Sequence, residues 1–202
     1  MTRLLLIRHG ETAWTRQKRY QGHTDIPLSA SGEKQVRHLC KRLSRCKIHI
    51  FYASALTRAA QTAAILRGGR NARLLTDDRI NEFNFGEWEG KTARELIQAK
   101  EPSYRKWRGG DWVTPPGGES LRTFKKRTGD FLAEILKQHR GKTVAIVAHG
   151  GPIRMLMIRS LGLAPRFFWT LHIQPASVSV LDFDSGFVRW VAVNDLMRGN
   201  PK

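Results

Sequence analysis

No stretch of the 202 residues comes near the roughly 18 consecutive apolar residues of a membrane span. The N-terminus enters a strand pattern at once, without a basic segment followed by an apolar signal core, so a soluble cytoplasmic protein is the expectation. Cysteine is scarce. Cys40 and Cys46 share one basic stretch, too few for a disulfide scaffold, and neither has the His or Asp spacing of a metal site. Two phosphate and ester chemistries lack their signatures: there is no G-x-S-x-G elbow and no G-x-x-x-x-G-K-[ST] loop. Zinc-finger spacing and RNA-recognition motifs are missing too. Acidic residues are few, 17 against 35 Lys and Arg, which leaves a formal charge of +18. That excess predicts attraction to anions, from phosphorylated metabolites to nucleic acid. The basic residues are spread over "TRQKRY", "CKRLSRCK", "RGGRNAR" and "FKKRTGD" and form no single tail.

What is present reads as one α/β domain over 1–202, with no linker and no internal repeat. Leu4–Ile7 is a short, wholly apolar run before a glycine, the pattern of a buried strand. Ser29 or Ser31 can cap a helix through "EKQVRHLCKRL", with Val36, Leu39 and Leu43 on its apolar face. "IHIFYA" predicts a second strand, and "TRAAQTAAILRG" a helix closed by Gly68-Gly69. "INEFNFGEWEG" has no sustained period and predicts a loop that positions side chains. "KTARELIQAK" predicts a short helix ending before Pro102. Residues 102–118, with aromatics, glycines and Pro115-Pro116, read as an irregular insertion near the site. A long amphipathic helix follows in "ESLRTFKKRTGDFLAEILKQH". "TVAIVAHG" is then a strand and "GPIRMLMIRSLG" a helix, while "SVSVLDF" and "FVRWVAV" flank a hairpin turn at Asp184-Ser185-Gly186.

"LLLIRHG" and "TVAIVAHG" share one grammar, an apolar strand followed at once by His-Gly. Open α/β sheets bind ligands outside the carboxyl ends of their strands, so His9 and His149 can meet in one crevice. Gly10, Gly150 and Gly151 allow tight turns and close approach of the backbone to a ligand. A metal would want further ligands, whereas Arg8 stands directly beside His9. A cation there favours an anion. Arg8 and Arg58 are both suited to bidentate recognition of phosphate or carboxylate oxygens.

"LIRHGETAW", "GHTDIPLSASGEKQ", "SALTRAAQTA", "EFNFGEWEG", "PPGGES" and "VAHGGPIR" occur in one order along nearly the whole chain. This ordered set resembles the histidine phosphatase superfamily, which includes the cofactor-dependent phosphoglycerate mutases. The resemblance implies a three-layer sandwich with a mixed, mostly parallel central sheet flanked by helices, phosphoglycerate mutase-like. It makes His9 the nucleophile of a phosphohistidine intermediate, with Arg8 and Arg58 gripping the phosphoryl oxygens. His149 would stabilise the transferring group and Glu82 would be the proton donor. Thr12, Thr15, Gln21, Gly22 and Gly150 would contact substrate, and neither metal nor cofactor is implied. Glu87 and Glu89 are expected to hold the loop, and Trp88 to lie in the core. Two positions depart from the family: Thr15 stands where Asn is usual, and Ala55 where Pro is usual.

Mutase and phosphatase share the first half-reaction, and the modest chain length favours hydrolysis. "FGEWEGKT" with "PPGGESL" most resembles the alpha-ribazole phosphatases, which act on alpha-ribazole 5′-phosphate or the corresponding cobalamin phosphate. Broad-specificity, phosphoserine and sugar-phosphate phosphatases are the alternatives, with a phosphoglycerate mutase behind them. The non-enzyme alternative is a polyanion-binding module using the +18 charge. The expected partner is a small phosphorylated metabolite, with nucleic acid held only through non-specific charge and no membrane. A homo-oligomer stays open.

Overall fold

Strand β1 (Thr2–Arg8) is buried along Leu4–Ile7, as a strand covered on both faces must be. The computed structural model describes residues 1–196. After β1 come α1 (Ala13–Arg16), α2 (Ala30–Arg42), β2 (Ile50–Ala53), α3 (Thr57–Arg67) and β3 (Arg73–Thr76). The chain continues through α4 (Ala93–Gln98), α5 (Pro102–Arg108), α6 (Leu121–Gln138), β4 (Thr143–Ala148) and α7 (Gly150–Ser160). It closes with the antiparallel pair β5 (Val178–Asp184) and β6 (Phe187–Asp195). The sheet order is β3-β2-β4-β1-β5-β6. Pairings among β3, β2, β4 and β1 are parallel, and β5 and β6 join antiparallel at one side. The mixed, mostly parallel sheet lies between two helical layers.

Period-two alternation along β1 divides the core. Leu4 and Leu6 pack with Phe131, Ile135, Ile153 and Leu156 of α6 and α7. Leu5 and Ile7 turn the other way, onto Val36, Leu39, Ala59 and Ala63 of α2 and α3. A third cluster is largely aromatic and gathers Phe83, Trp88, Tyr104, Trp107, Phe124 and Phe168 beside the sheet. No helix among the described residues is long and apolar enough to cross a membrane. Cys40 and Cys46 are free thiols.

Three differences from the sequence reading have physical causes. Residues 102–118 are not irregular throughout, because Pro102–Arg108 form α5. The Glu101 carboxylate caps this helix by accepting from the Tyr104 N–H, Pro102 takes a first-turn position, and Tyr104 and Trp107 are buried. Strand β3 was not expected: its four residues, Arg73-Leu74-Leu75-Thr76, are too few to show a period, and pairing with β2 makes them a strand. The loop around Glu82 also contains 3₁₀ turns at Asp78–Ile80 and Gly86–Trp88.

The turn leaving β1 is locked against the start of α2. A Cβ on Gly10 would lie 2.7 Å from the Gly32 carbonyl, and one on Gly32 would lie 2.1 Å from the Glu11 carbonyl. Both obstacles are backbone and cannot swing aside. Gly32→Ala is therefore expected to destabilise the protein by about 1–3 kcal/mol, read as a lower urea midpoint with unchanged m value. An unchanged midpoint would show that this contact yields freely.

Candidate active site

Parallel pairing of β1 with β4 aligns Arg8 with Ala148, and the His9 N–H extends the ladder to the Ala148 carbonyl at 3.0 Å. The two His-Gly corners therefore leave the sheet side by side. The imidazoles of His9 and His149 meet edge to face, with centroids 5.0 Å apart. Both rings are buried.

Hydrogen bonds assign each ring's tautomer. His9 Nδ1 lies 2.7 Å from the Gly10 carbonyl, which can only accept, so Nδ1 carries the proton and Nε2 keeps a free lone pair. His149 Nδ1 accepts from Arg58 Nε at 3.2 Å, so its proton sits on Nε2 and is donated to Ser54 Oγ at 2.7 Å. Ser54 Oγ passes the chain on to Asn81 Oδ1. Burial first, and then the cations Arg8 and Arg58, hold His9 well below the ordinary imidazole value. Burial and Arg58 do the same to His149. Both rings are neutral at physiological pH.

Arg58 is a buried charge and Arg8 a half-buried one, and among the described residues neither has a carboxylate partner. Arg58 is fully buried and is fixed by the carbonyls of Gly22 and Thr24 as well as by His149. Arg8 donates to the Ile173 carbonyl at 2.6 Å, yet its buried Nε has no protein partner. Burial draws each of them down to about 10, which leaves both charged at neutral pH. Arg154, one turn into α7, donates Nε to the Leu171 carbonyl. Among the described residues none of these three guanidinium groups forms a salt bridge, although seven other cationic groups do.

Glu82 reaches the same region from the loop after β3. Its Oε1 accepts from the N–H groups of Phe83 (2.9 Å) and Gly151 (3.0 Å), which ties the carboxylate to the start of α7. A Cβ on Gly151 would stand 2.1 Å from that oxygen, so only glycine leaves room for it. Arg127 of α6 holds the loop's backbone by donating to the carbonyls of Arg79, Asn81 and Glu82. Glu119 in turn grips Arg127 with both oxygens, at 2.7 and 2.8 Å. Glu119 belongs to "PPGGES", and Pro116 of that segment accepts from the Glu87 N–H. Two separate motifs thus serve one carboxylate.

The other expected residues take varied parts. Gln21 accepts from Thr12 Oγ1, and its Nε2 is buried without a protein partner. The Gly22 carbonyl holds Arg58 rather than facing outward. Gly150 opens α7 between Arg8 and Arg154. Thr12 caps α1, and the Thr15 hydroxyl is spent on the Thr12 backbone N–H (2.8 Å) and carbonyl (3.0 Å). Glu89 binds the N–H groups of His23, Thr24 and Phe85, which is a loop-holding role, and Trp88 is fully buried. The Ala55 N–H donates to Asn81 Oδ1, a bond that a proline could not make. Ser54, Asn81, Glu119, Arg127 and Arg154 were not expected here. Arg154 alone left a trace in the sequence, as a cation inside the apolar run "GPIRMLM".

Sheet and site together define a three-layer α/β protein with two arginines and two histidines gathered at its strand ends. Residues 4–196 match the histidine phosphatase superfamily (branch 1), and the chain belongs to that family. Its fold is phosphoglycerate mutase-like. Phosphoserine phosphatase 1 of Hydrogenobacter thermophilus is 35% identical over 190 residues, covering 91% of this chain and 88% of that protein. The adenosylcobalamin/alpha-ribazole phosphatase of Escherichia coli is 29% identical over 194 residues, 95% of each. The crystal structure of the Shigella flexneri alpha-ribazole phosphatase matches with a TM-score of 0.88 at 29% identity, over 99% of this chain and 100% of that one.

Neutral buried histidines couple stability to pH. In the unfolded chain they titrate near the ordinary imidazole value of about 6.5, whereas His9, His149 and His139 are all held lower in the fold. Acid therefore protonates the unfolded state first. Their contribution is complete above about pH 6.5 and is lost as pH falls, by up to about 1.4 kcal/mol per pH unit for each ring. Urea unfolding in phosphate-free buffer should show lower stability at pH 5.5 than at 7.5. The variant His9→Gln/His149→Gln should flatten that slope, with His139 supplying the remainder.

Proposed function

We propose that this chain hydrolyses phosphomonoesters through a phosphohistidine formed on His9. The observation that carries the reading is the proton on Nδ1, held by the Gly10 carbonyl, which leaves Nε2 free as a nucleophile beside the unpartnered Arg8 Nε. Nε2 attacks phosphorus, the bond from phosphorus to the ester oxygen breaks, and the Glu82 carboxyl protonates the departing alkoxide. Water then attacks the phosphohistidine. Glu82 takes its proton, the phosphorus–nitrogen bond breaks, and inorganic phosphate leaves. Arg8 and Arg58 offset the charge on the phosphoryl oxygens, so the reading calls on no metal or organic cofactor. Because His149 accepts from Arg58, it serves the transferring group by aiming that guanidinium.

The substrate is a small phosphorylated metabolite in the cytoplasm. Alpha-ribazole 5′-phosphate or the corresponding cobalamin phosphate is supported by the E. coli and S. flexneri relatives. Phosphoserine is supported by the H. thermophilus relative. Comparing kcat/KM across a panel of phosphorylated metabolites separates these readings from broad specificity. A polyanion module would instead show salt-sensitive nucleic-acid binding with little turnover.

His9→Ala should lower turnover by at least about 10³-fold and abolish the acid-labile phosphate label that wild type traps, with unchanged circular dichroism. Turnover at the wild-type rate would remove His9 as nucleophile. Glu82→Gln should cost about 10²- to 10⁴-fold on alkyl phosphates, whose alkoxides need a proton. The same variant should lose far less on p-nitrophenyl phosphate, whose leaving group departs unprotonated. Equal losses on both would assign Glu82 a purely structural part.

A further inference from the structure

Asn81 stands one residue before Glu82, and its side chain has no part in the proposed reaction. It ends a chain of hydrogen bonds that begins at Arg58. Arg58 Nε lies 3.2 Å from His149 Nδ1, and His149 Nε2 lies 2.7 Å from Ser54 Oγ. Ser54 Oγ in turn lies 2.7 Å from Asn81 Oδ1. Arg58, His149 and Ser54 are fully buried, so bulk water does not reach the links between them.

The direction of this chain is decided at its two ends, where the donors are unambiguous. The Ala55 N–H donates to Asn81 Oδ1 at 3.0 Å, so the amide presents its carbonyl oxygen there and not its nitrogen. That oxygen can only accept, and Ser54 spends its single hydroxyl proton on it. With the proton committed, Ser54 accepts from the Leu56 N–H at 3.2 Å and from His149 Nε2. At the other end the Arg58 Nε–H needs an acceptor, and bare Nδ1 is it. Both ends demand the same tautomer. The Asn81 end depends on alanine standing at 55, where the family usually has proline, because proline carries no N–H. Without the Asn81 acceptor the Ser54 proton is free to turn to Nε2. Nδ1 would then carry hydrogen and confront the Arg58 Nε–H, donor against donor. The Gly22 and Thr24 carbonyls hold only the terminal nitrogens of Arg58 and cannot replace that bond.

We propose that Asn81 is a positioning residue: its side-chain carbonyl, fixed by the Ala55 N–H, acts through Ser54 to lock His149 as the Nε2–H tautomer, which keeps Nδ1 open to Arg58. The inference rests on the phosphomonoesterase reading for its effect on turnover, whereas the tautomer itself is a property of the resting protein.

Long-range proton–nitrogen correlation spectra of the imidazoles separate the tautomers, because a protonated ring nitrogen resonates far from a bare one. Wild type should show His149 protonated on Nε2 and bare on Nδ1. Asn81→Ala should bring in the Nδ1–H form and lower kcat/KM by about 10-fold, the worth of the hydrogen bond that Arg58 loses. This substitution spares the main chain: Arg127 keeps its bond to the carbonyl of residue 81, and φ −60° with ψ 153° suits alanine. Asn81→Asp keeps an oxygen toward Ser54 and Ala55, so it should retain the wild-type tautomer and most of the activity. Thermal melts check that both variants are folded, and the wild-type spectrum needs no variant. Titration with inorganic phosphate reads binding without turnover, and Asn81→Ala should bind it about 10-fold more weakly. A wild-type His149 protonated on Nδ1 would overturn the proposal. An unchanged tautomer in Asn81→Ala would do so too, and would make any loss of activity structural. A tautomer mixture in Asn81→Asp equal to that in Asn81→Ala would show that the acceptor is not what matters. A changed tautomer with kcat/KM and phosphate affinity both intact would remove the positioning role. If wild type turns over no phosphomonoester, yet Asn81→Ala shifts the tautomer and weakens phosphate, the phosphatase reading fails and the positioning role stands. If wild-type turnover is intact but the tautomer does not respond to Asn81→Ala, the reverse holds.

Discussion

The structure depends first on the register between β1 and β4. Alignment of Arg8 with Ala148 places His9 beside His149, and a slip of one residue would turn every side chain of either strand to the opposite face. That slip is resisted by the core itself. Leu4 and Leu6 face α6 and α7, while Leu5 and Ile7 face α2 and α3, so an altered register would exchange two differently shaped sets of neighbours. Apolar packing on both sides of the sheet thus sets the geometry of two polar rings at its end.

The second constraint is electrostatic. Arg58 lies in the interior and Arg8 half-buried beside it, and among the described residues neither has a carboxylate partner, an arrangement that costs stability. Backbone carbonyls at Gly22, Thr24 and Ile173 hold the guanidinium groups in place without neutralising them. An anionic ligand would complete the site. The carboxylate that reaches the start of α7, Glu82, is tethered by the Phe83 and Gly151 N–H groups and by a backbone that Arg127 and Glu119 secure. Its position is thereby separated from the motion of an exposed loop.

Several parts were legible from the residues because the signal is local. Apolar runs ending in His-Gly, the Ser29 cap and the amphipathic faces of α2 and α6 rest on neighbours in sequence and appear where the pattern puts them. Strand β3 and helix α5 did not stand out. The first is too short to show a period and is a strand by virtue of β2, and the second needs Tyr104 and Trp107 to find an aromatic cluster supplied by distant segments. Thr15, which the family resemblance makes a substrate contact, is also engaged locally, its hydroxyl bonding the Thr12 backbone N–H and carbonyl, and a substitution pattern alone does not show that engagement.

The sequence by itself determined the α/β class, the strand-end placement of His9 and His149, and the surplus of positive charge. Each follows from side-chain period, adjacency along the chain or composition. Only the tertiary structure decided which nitrogen of each histidine carries its proton, because those protons are set by Gly10, Arg58 and Ser54 acting through space. It also decided that Glu119 and Arg127 serve Glu82, and that Arg154 and Arg8 both approach Gly150. Hydrogen bonds and unbalanced charges depend on distances between remote residues, and no spacing along the chain encodes them.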